Sequence, residues 1–356
     1  MTLLKLDVFA VRNICSATLL PSPKMNVITG ANGSGKSTLL EAIFILGRAR
    51  SFRTHHIKQA IAFDQPELIV SAQNLSLSST TTLGIRLDGK HFDIRIDQEN
   101  RQKADLAYAF PVQLIHPKSY RLLDAGPQYR REFIDWGSFN DDRNFLPQWR
   151  LFSKALQQRN ALLKTRQAHQ LDVWDAELAH YGAQIDQLRK TYFAALQPLY
   201  EALADHFLGE SSVALRFDSG WHRDLSLEQS LKNDRDRDLR YGFTHSGPHR
   251  ADFQVYHQNR LAKDYLSRGQ QKLLMLALML AQVVLIDGNS QRDCCILIDD
   301  LASELDAVNS AKLLKYLTHL KSQVFMTGTD SMAFGVLDDL TDYKLFHVEQ
   351  GRIQIP

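Results

Sequence analysis

Residues 30–38 read GANGSGKST. The run satisfies G-x-x-x-x-G-K-[ST], the spacing of a loop that wraps the phosphates of a nucleotide. A short apolar run, Met25 to Thr29, precedes it, and Ser37 to Leu46 has the pattern of a helix after it. This strand-loop-helix order is what the chemistry needs. Gly30, Gly33 and Gly35 let backbone N–H groups converge on an anion, and the helix start adds positive potential. Lys36 reaches the terminal phosphates and Ser37 can hold Mg²⁺, with Ala31, Asn32, Ser34 and Thr38 completing the cradle.

Such a loop works with a carboxylate at the end of a neighbouring strand. Cys294 to Ile298 is an apolar strand that runs into Asp299-Asp300. Asp299 is expected to hold Mg²⁺ through bound water, and Asp300 to orient or deprotonate the attacking water. These two acids and Lys36 are the catalytic candidates.

A second anion site lies far along the chain. In Leu266-Ser267-Arg268-Gly269-Gln270, Ser267 and Gln270 form a capping-box pattern at the start of a helix running to Ile286. The Ser267 hydroxyl, the free N–H groups near Gly269 and the helix dipole can all grip a phosphate. One chain thus carries a complete nucleotide loop and a second phosphate grip.

The 356 residues are 44% hydrophobic, enough for at least one large core. With 42 Lys and Arg against 40 Asp and Glu, the net charge of +2 neither demands nor excludes a nucleic-acid partner. Any basic surface must be local. Cys15, Cys294 and Cys295 lack zinc-type spacing, which fits a reduced, cytosolic compartment. The N-terminal MTLLKLDVFAV reads as a half-buried strand rather than a secretion signal. Leu273 to Ile286 is interrupted by Gln282 and falls short of the roughly 18 residues a membrane span needs, so it reads as a core helix.

The first hundred residues are strand-rich, with Asp88-Gly89 supplying a hairpin turn. Trp149, Phe152, Leu156 and Leu163 then mark an amphipathic helix that carries Lys154, Arg159, Lys164 and Arg166 on its other positions. Trp174, Leu178, Tyr181, Ile185, Leu188 and Tyr192 mark a second helix, which Pro198 should kink or end. The pair predicts an inserted helical arm. KNDRDRDLR at 232–240 reads as a solvated loop, and the last hundred residues alternate helix and strand. The expected division is 1–115 for the first half of an α/β head, 116–241 for the arm and 242–356 for the second half.

Residues 266–270 resemble the signature motif of ABC ATPases, Asp299-Asp300 their Walker B and Ser303-Glu304-Leu305-Asp306 their D-loop. The implied fold is an ABC-type P-loop ATPase head with a strand-rich N-terminal lobe and a short coiled-coil-like arm. In that class one molecule's signature caps the γ-phosphate held by another's phosphate loop, so the two grips complete each other across a head-to-tail dimer holding two ATP molecules.

Along essentially its whole length the chain is similar to the RecF family of bacterial DNA repair proteins. The resemblance rests on Leu40-Glu41-Ala42, Ser51-Phe52-Arg53-Thr54, Arg130-Arg131-Glu132-Phe133-Ile134-Asp135, Gly247-Pro248-His249-Arg250-Ala251-Asp252 and Asp299 to Asp306. It implies ATP and Mg²⁺ as cofactors and an ATP-dependent homodimer on double-stranded DNA or its junctions with single strands. It also implies weak DNA-stimulated hydrolysis, and action with RecO and RecR in loading RecA. Arg48, Arg50, Arg53, Arg130 and Arg131 are the expected DNA contacts, with Lys154, Arg159, Lys164 and Arg166 as arm candidates.

The chain departs from these patterns at several points. Val308-Asn309 stands where RecF proteins have basic residues, and Asp300 where many ABC ATPases have Glu. Thr327-Gly328-Thr329 replaces the switch histidine, which together with the shorter acid implies slow hydrolysis. Gln113 is the candidate Q-loop glutamine. Two rival readings are a monomeric small-molecule P-loop kinase and a transporter ATPase subunit. Neither gives the signature run and the arm a joint purpose.

Overall fold

The chain opens with β1 (Thr2–Val11) and β2 (Ile14–Leu19), whose alternating burial marks a sheet with one covered face. The structure, a computed structural model, describes residues 2–76, 79–119, 121–209, 212–289, 293–300, 305–329 and 342–354. They form two compact units: residues 1–119 with 286–356, and residues 120–285.

In the first unit β1 and β2 join β4 (Glu67–Ser76), β5 (Ser79–Asp88), β6 (Phe92–Ile96) and β7 (Glu99–Asn100) in an antiparallel sheet of order β2-β1-β4-β5-β6-β7. The Asp88-Gly89 turn joins β5 to β6, with Leu87 opposite Phe92. A second sheet has the order β15-β14-β3-β13-β12-β8. It contains β3 (Met25–Thr29), β8 (Val112–Ile115), β12 (Cys295–Ile298), β13 (Val324–Gly328), β14 (Tyr343–Glu349) and β15 (Arg352–Gln354), all parallel except β15. Strands β3, β12 and β13 are fully buried, as parallel strands covered on both faces must be.

Helix α1 (Lys36–Arg48) is buried from Thr38 to Gly47 because one core surrounds it. That core gathers Leu6 and Val8 of β1, Ile85 of β5, Leu297 of β12 and Phe325 of β13. Helix α2 (Lys103–Ala109) also belongs to this unit.

The second unit contains α3 (Arg121–Asp124), α4 (Pro127–Asp141), α5 (Phe145–Thr165) and α6 (Leu171–Leu208), followed by β9 (Val213–Asp218), α7 (Leu227–Asn233) and α8 (Arg235–Tyr241). It ends with β10 (Asp252–His257), β11 (Arg260–Leu261), α9 (Ala262–Tyr265) and most of α10 (Arg268–Asn289). The chain returns to the first unit, which also holds α11 (Ala307–His319). Helix α6 runs on through Pro198 for ten more residues, so the proline does not end it.

Phe145, Phe152 and Ala155 of α5 pack with Leu178 and Ile185 of α6 and Leu227 and Leu231 of α7. The expected pair of amphipathic helices is present, but a third helix covers part of its apolar seam. Residues 232–240, expected as a solvated loop, instead form the end of α7 and most of α8.

The division also differs from the expected boundary at 241/242. Strand β10 pairs along its length with β9, and Arg130 forms a bidentate pair with Asp252 at 2.6 and 3.0 Å. These bonds tie residues 252–257 into the second unit. Helix α10 is long and apolar enough to cross a membrane by length and composition, yet 72% of its most apolar stretch is buried. Its interrupting Gln282 is fully buried, donating to the Phe133 carbonyl at 3.1 Å and the Tyr192 hydroxyl at 2.7 Å.

Candidate nucleotide site

The phosphate loop turns between β3 and α1 in the first unit. Gly30 has φ 147°, and a Cβ there would stand 2.2 Å from the Val348 carbonyl oxygen of β14, so only glycine fits. Gly33 and Gly35 also hold positive φ, and the Gly351 N–H pins the loop by donating to the Ser34 carbonyl at 2.8 Å.

At the start of α1, Lys36 Nζ donates to the Gly30 and Ala31 carbonyls at 2.6 and 2.9 Å. Burial lowers the Lys36 pKa, while Asp300 and Asp299 pull it back up. The Ser37 hydroxyl donates to Asp299 Oδ1 at 2.8 Å, and so does the Thr327 hydroxyl at the same distance. Thr327 Oγ1 also accepts the Asp300 N–H at 2.9 Å, where Asp300 turns with φ 53°.

Lys36, Ser37, Asp299 and Asp300, predicted as one site, therefore line one open cleft of about 370 Å³. Ser37 Oγ and Asp299 Oδ1 are hard oxygen donors suited to Mg²⁺, which takes few protein ligands and the rest from phosphate and water. Ser34 Oγ is buried without a hydrogen-bond partner among the described residues, an open donor inside the loop. These features fit a Mg-nucleotide.

Sequence reasoning missed several members of this site. Arg12 and Asn13, in the turn after β1, line the cleft with Arg53 and Thr327. Asn13 Oδ1 accepts the Thr38 hydroxyl at 2.8 Å, and its amide donates to the Gly33 carbonyl at 3.3 Å. Arg12 grips the fully buried Glu41 through Nε and Nη2, and Ser51 donates to the same carboxylate. The only sequence signal for this group was the run Leu40-Glu41-Ala42 with Ser51 to Thr54. Thr327, the first residue of the Thr327-Gly328-Thr329 run that stands in place of the switch histidine, lies near the end of β13, and its hydroxyl holds Asp299.

Gln113 is corrected as a Q-loop candidate. It lies buried within β8 opposite Ile296, upstream of the strand end where Asp299 sits. Of the D-loop run, Ser303 and Glu304 lie outside the described residues. Asp306 caps α11 by accepting the Asn309 N–H at 2.8 Å, so the Asn that replaces a basic residue serves this cap.

The signature run belongs to the second unit. Ser267 N–H donates to Gln270 Oε1 at 3.0 Å, and Gln270 N–H to Ser267 Oγ at 3.3 Å, completing the capping box. Ser267, Arg268, Gly269 and Gln270 are all exposed.

The nominated DNA contacts separate into two groups. Arg50, Arg53, Lys154, Lys164 and Arg166 are exposed, whereas Arg48 is half-buried, with Nε donating to the Val112 carbonyl at 3.2 Å. Arg130 is corrected: besides Asp252 it donates to the carbonyls of Leu122 and Ala125, leaving no donor face for phosphate. Arg131 donates to the Ala251 carbonyl at 3.0 Å and braces the same region. Arg159 is corrected most firmly, being fully buried between Asp175 at 2.5 Å and Asp238 at 2.6 Å.

The chain is similar to known proteins along almost its whole length. The family model described as RecF/RecN/SMC N terminal domain matches residues 2–354. The chain is 41% identical over 359 aligned residues to "DNA replication and repair protein RecF" of Pseudomonas putida (strain GB-1), covering 99% of this chain and 98% of that protein. A protein of the same name from Chromohalobacter salexigens is also 41% identical, with 99% of each chain covered. A solved structure, "Structure of the recombination mediator protein RecF-ATP in RecFOR pathway", superposes with TM-score 0.89 over 100% of this chain and 97% of that one, at 24% identity. It shares the ABC-type head fold. With the family's domain matched almost end to end and 41% identity sustained over 99% of the sequence, the chain belongs to the RecF family.

Proposed function

We propose that the chain is an ATP-gated DNA-binding protein of recombinational repair, acting as a head-to-tail dimer with slow, DNA-stimulated hydrolysis. The observation that carries this reading is the pairing of Ser37 with Asp299 at 2.8 Å beside Lys36, while the exposed Ser267–Gln270 run is a second phosphate grip with no phosphate loop among the described residues of its own unit. Residues 30–38 would hold the phosphates, and Ser37 and Asp299 would hold Mg²⁺. Asp300 would orient the attacking water. Ser267 to Gln270 of a second copy would cap the γ-phosphate, so bound ATP favours the closed dimer by mass action. When bound, ATP supplies the phosphoanhydride whose cleavage lets the dimer open.

DNA would be held mainly through its phosphates, with Arg50 as the exposed head contact, since Arg53 lines the nucleotide cleft and faces Glu41 at 3.7 Å. The names of the relatives support a role in replication and repair, and the RecFOR pathway named for the solved structure supports RecO and RecR as partners in loading RecA. A cytoplasmic location accords with that work. The kinase reading loses its basis, since the family match covers the arm and signature run that a kinase leaves without purpose.

Sedimentation velocity with a labelled duplex tests the proposal. A doubled protein mass on DNA with a non-hydrolysable ATP analogue, and not with ADP, is the expected result. A monomer that ignores DNA in both states would overturn it.

A further inference from the structure

Around the end of α8, aromatic rings and cations share one exposed face. Tyr241 is 60% exposed and Phe243 37%, both high for large apolar rings. Their centroids lie 6.2 Å apart, and His245 joins them at 5.5 and 4.2 Å. The Arg250 guanidinium sits 5.2 Å from the Phe243 centroid. Between the two exposed rings in sequence, Gly242 caps α8, and a Cβ there would stand 3.5 Å from Lys164 Cγ, so the Lys164 stem lies against the residue that separates them. The resulting platform has three rings and two cations, and exposed Arg240 adjoins Tyr241 in sequence.

The charges of RDRDLR, 235–240, are sorted by burial. Asp238 is fully buried, accepting Arg159 at 2.6 Å, the His245 N–H at 3.1 Å and the His245 ring at 2.6 Å. Asp234, just before the helix, accepts the Ser246 hydroxyl. Arg235 bonds Asp172 and Asp175. What remains outward is Arg237 and Arg240, with Asp236 the one exposed acid of this helix. Among the described residues Lys164, Arg166 and Arg240 form no ion pair. The buried Arg159 cluster fixes His245, so the platform rests on a rigid layer.

We infer that this face is a stacking site for single-stranded DNA, with unpaired bases on Tyr241 and Phe243 and phosphates on Lys164, Arg240 and Arg250. Aromatic platforms beside cations hold single strands with little sequence preference, because every base has a π-face and the backbone is anionic. The inference rests on the DNA-binding reading above and adds where an unpaired strand is gripped. An acidic protein segment is the competing occupant, and the test separates the two.

The measurement is fluorescence anisotropy of a labelled oligo-dT with the full chain and the ATP analogue, run beside an abasic oligomer of equal length. Wild-type protein should prefer oligo-dT over the abasic strand by about tenfold or more, and Tyr241→Ala or Phe243→Ala should each weaken oligo-dT binding by about tenfold. Phe243→Trp should retain binding and lose tryptophan emission as the oligonucleotide is added. Equal affinity for the abasic strand, or unchanged binding by both alanine variants, would overturn the inference and leave the face to a protein partner. The duplex sedimentation experiment reads the broader proposal independently: an ATP-dependent dimer on duplex, with no base-dependent binding here, sinks only the stacking site.

Discussion

Thr327 is the residue on which the two acids of the cleft depend. Its hydroxyl donates to Asp299 and accepts the Asp300 N–H, so one side chain sets both the carboxylate proposed to hold Mg²⁺ and the turn after it. Thr327→Ala should lower steady-state ATP turnover about tenfold, the worth of one ordinary hydrogen bond that positions a side chain, and shift nucleotide affinity much less. Equal losses in both would assign Thr327 to binding instead. Arg159 makes the opposite case, a nominated DNA contact that is structural. Arg159→Ala leaves Asp238 buried without its cation, which should cost about 3–5 kcal/mol of unfolding free energy in urea. Duplex affinity of the folded fraction, which does not depend on the stacking platform that this cluster supports, should stay unchanged. The sequence could not disclose this, because Asp175 and Asp238 lie 16 and 79 positions away and an arginine on a helix carries no mark of which face is covered. The phosphate loop was legible because its chemistry is local: glycines, lysine and serine at fixed spacing need no distant partner to be understood.

At the scale of elements, the turn Pro248–Arg250 holds His249 in a half-buried setting. Its Nε2 N–H faces the Thr244 carbonyl at 3.1 Å, and burial, with further repulsion from Arg250, Arg131 and Arg159, lowers its pKa to about 4. A histidine neutral in the fold and ordinary in the unfolded chain destabilises the fold as pH falls. The unfolded chain takes up a proton near pH 6.5 and the native state only near 4, so the stability present above 6.5 is lost on the way down. From pH 7.5 to 5.0 this group alone should remove about 2 kcal/mol, and His249→Gln should shrink the measured fall by that amount. An identical fall in the variant would show that the proton is taken up elsewhere. The strands and long helices of the fold were readable from period and turn chemistry. Helix α8 was not, since its fold depends on Arg159 neutralising Asp238 from another helix, and charge density alone reads as solvation.

At the scale of the whole molecule, the proposed trans site makes assembly and chemistry separable. Lys36→Met should remove ATP binding and with it the ATP-induced dimer, whereas Ser267→Arg should spare ATP binding by a single copy and abolish both dimer and turnover. Dimerisation by the first variant, or turnover by the second, would contradict the arrangement. Asp300 gives the third arm of the argument. It follows Asp299 in a left-handed turn at the end of β12, so Asp300→Asn keeps the shape of the cleft and removes only the charge that would orient water. The variant should bind ATP and dimerise as the parent does, hydrolyse at least about a hundredfold more slowly, and remain on duplex DNA with ATP as long as the parent does with the non-hydrolysable analogue. Sedimentation in ATP against time reads this directly: a dimer that persists for hours assigns the water to Asp300, and one that decays at the parental rate places the general base on another residue.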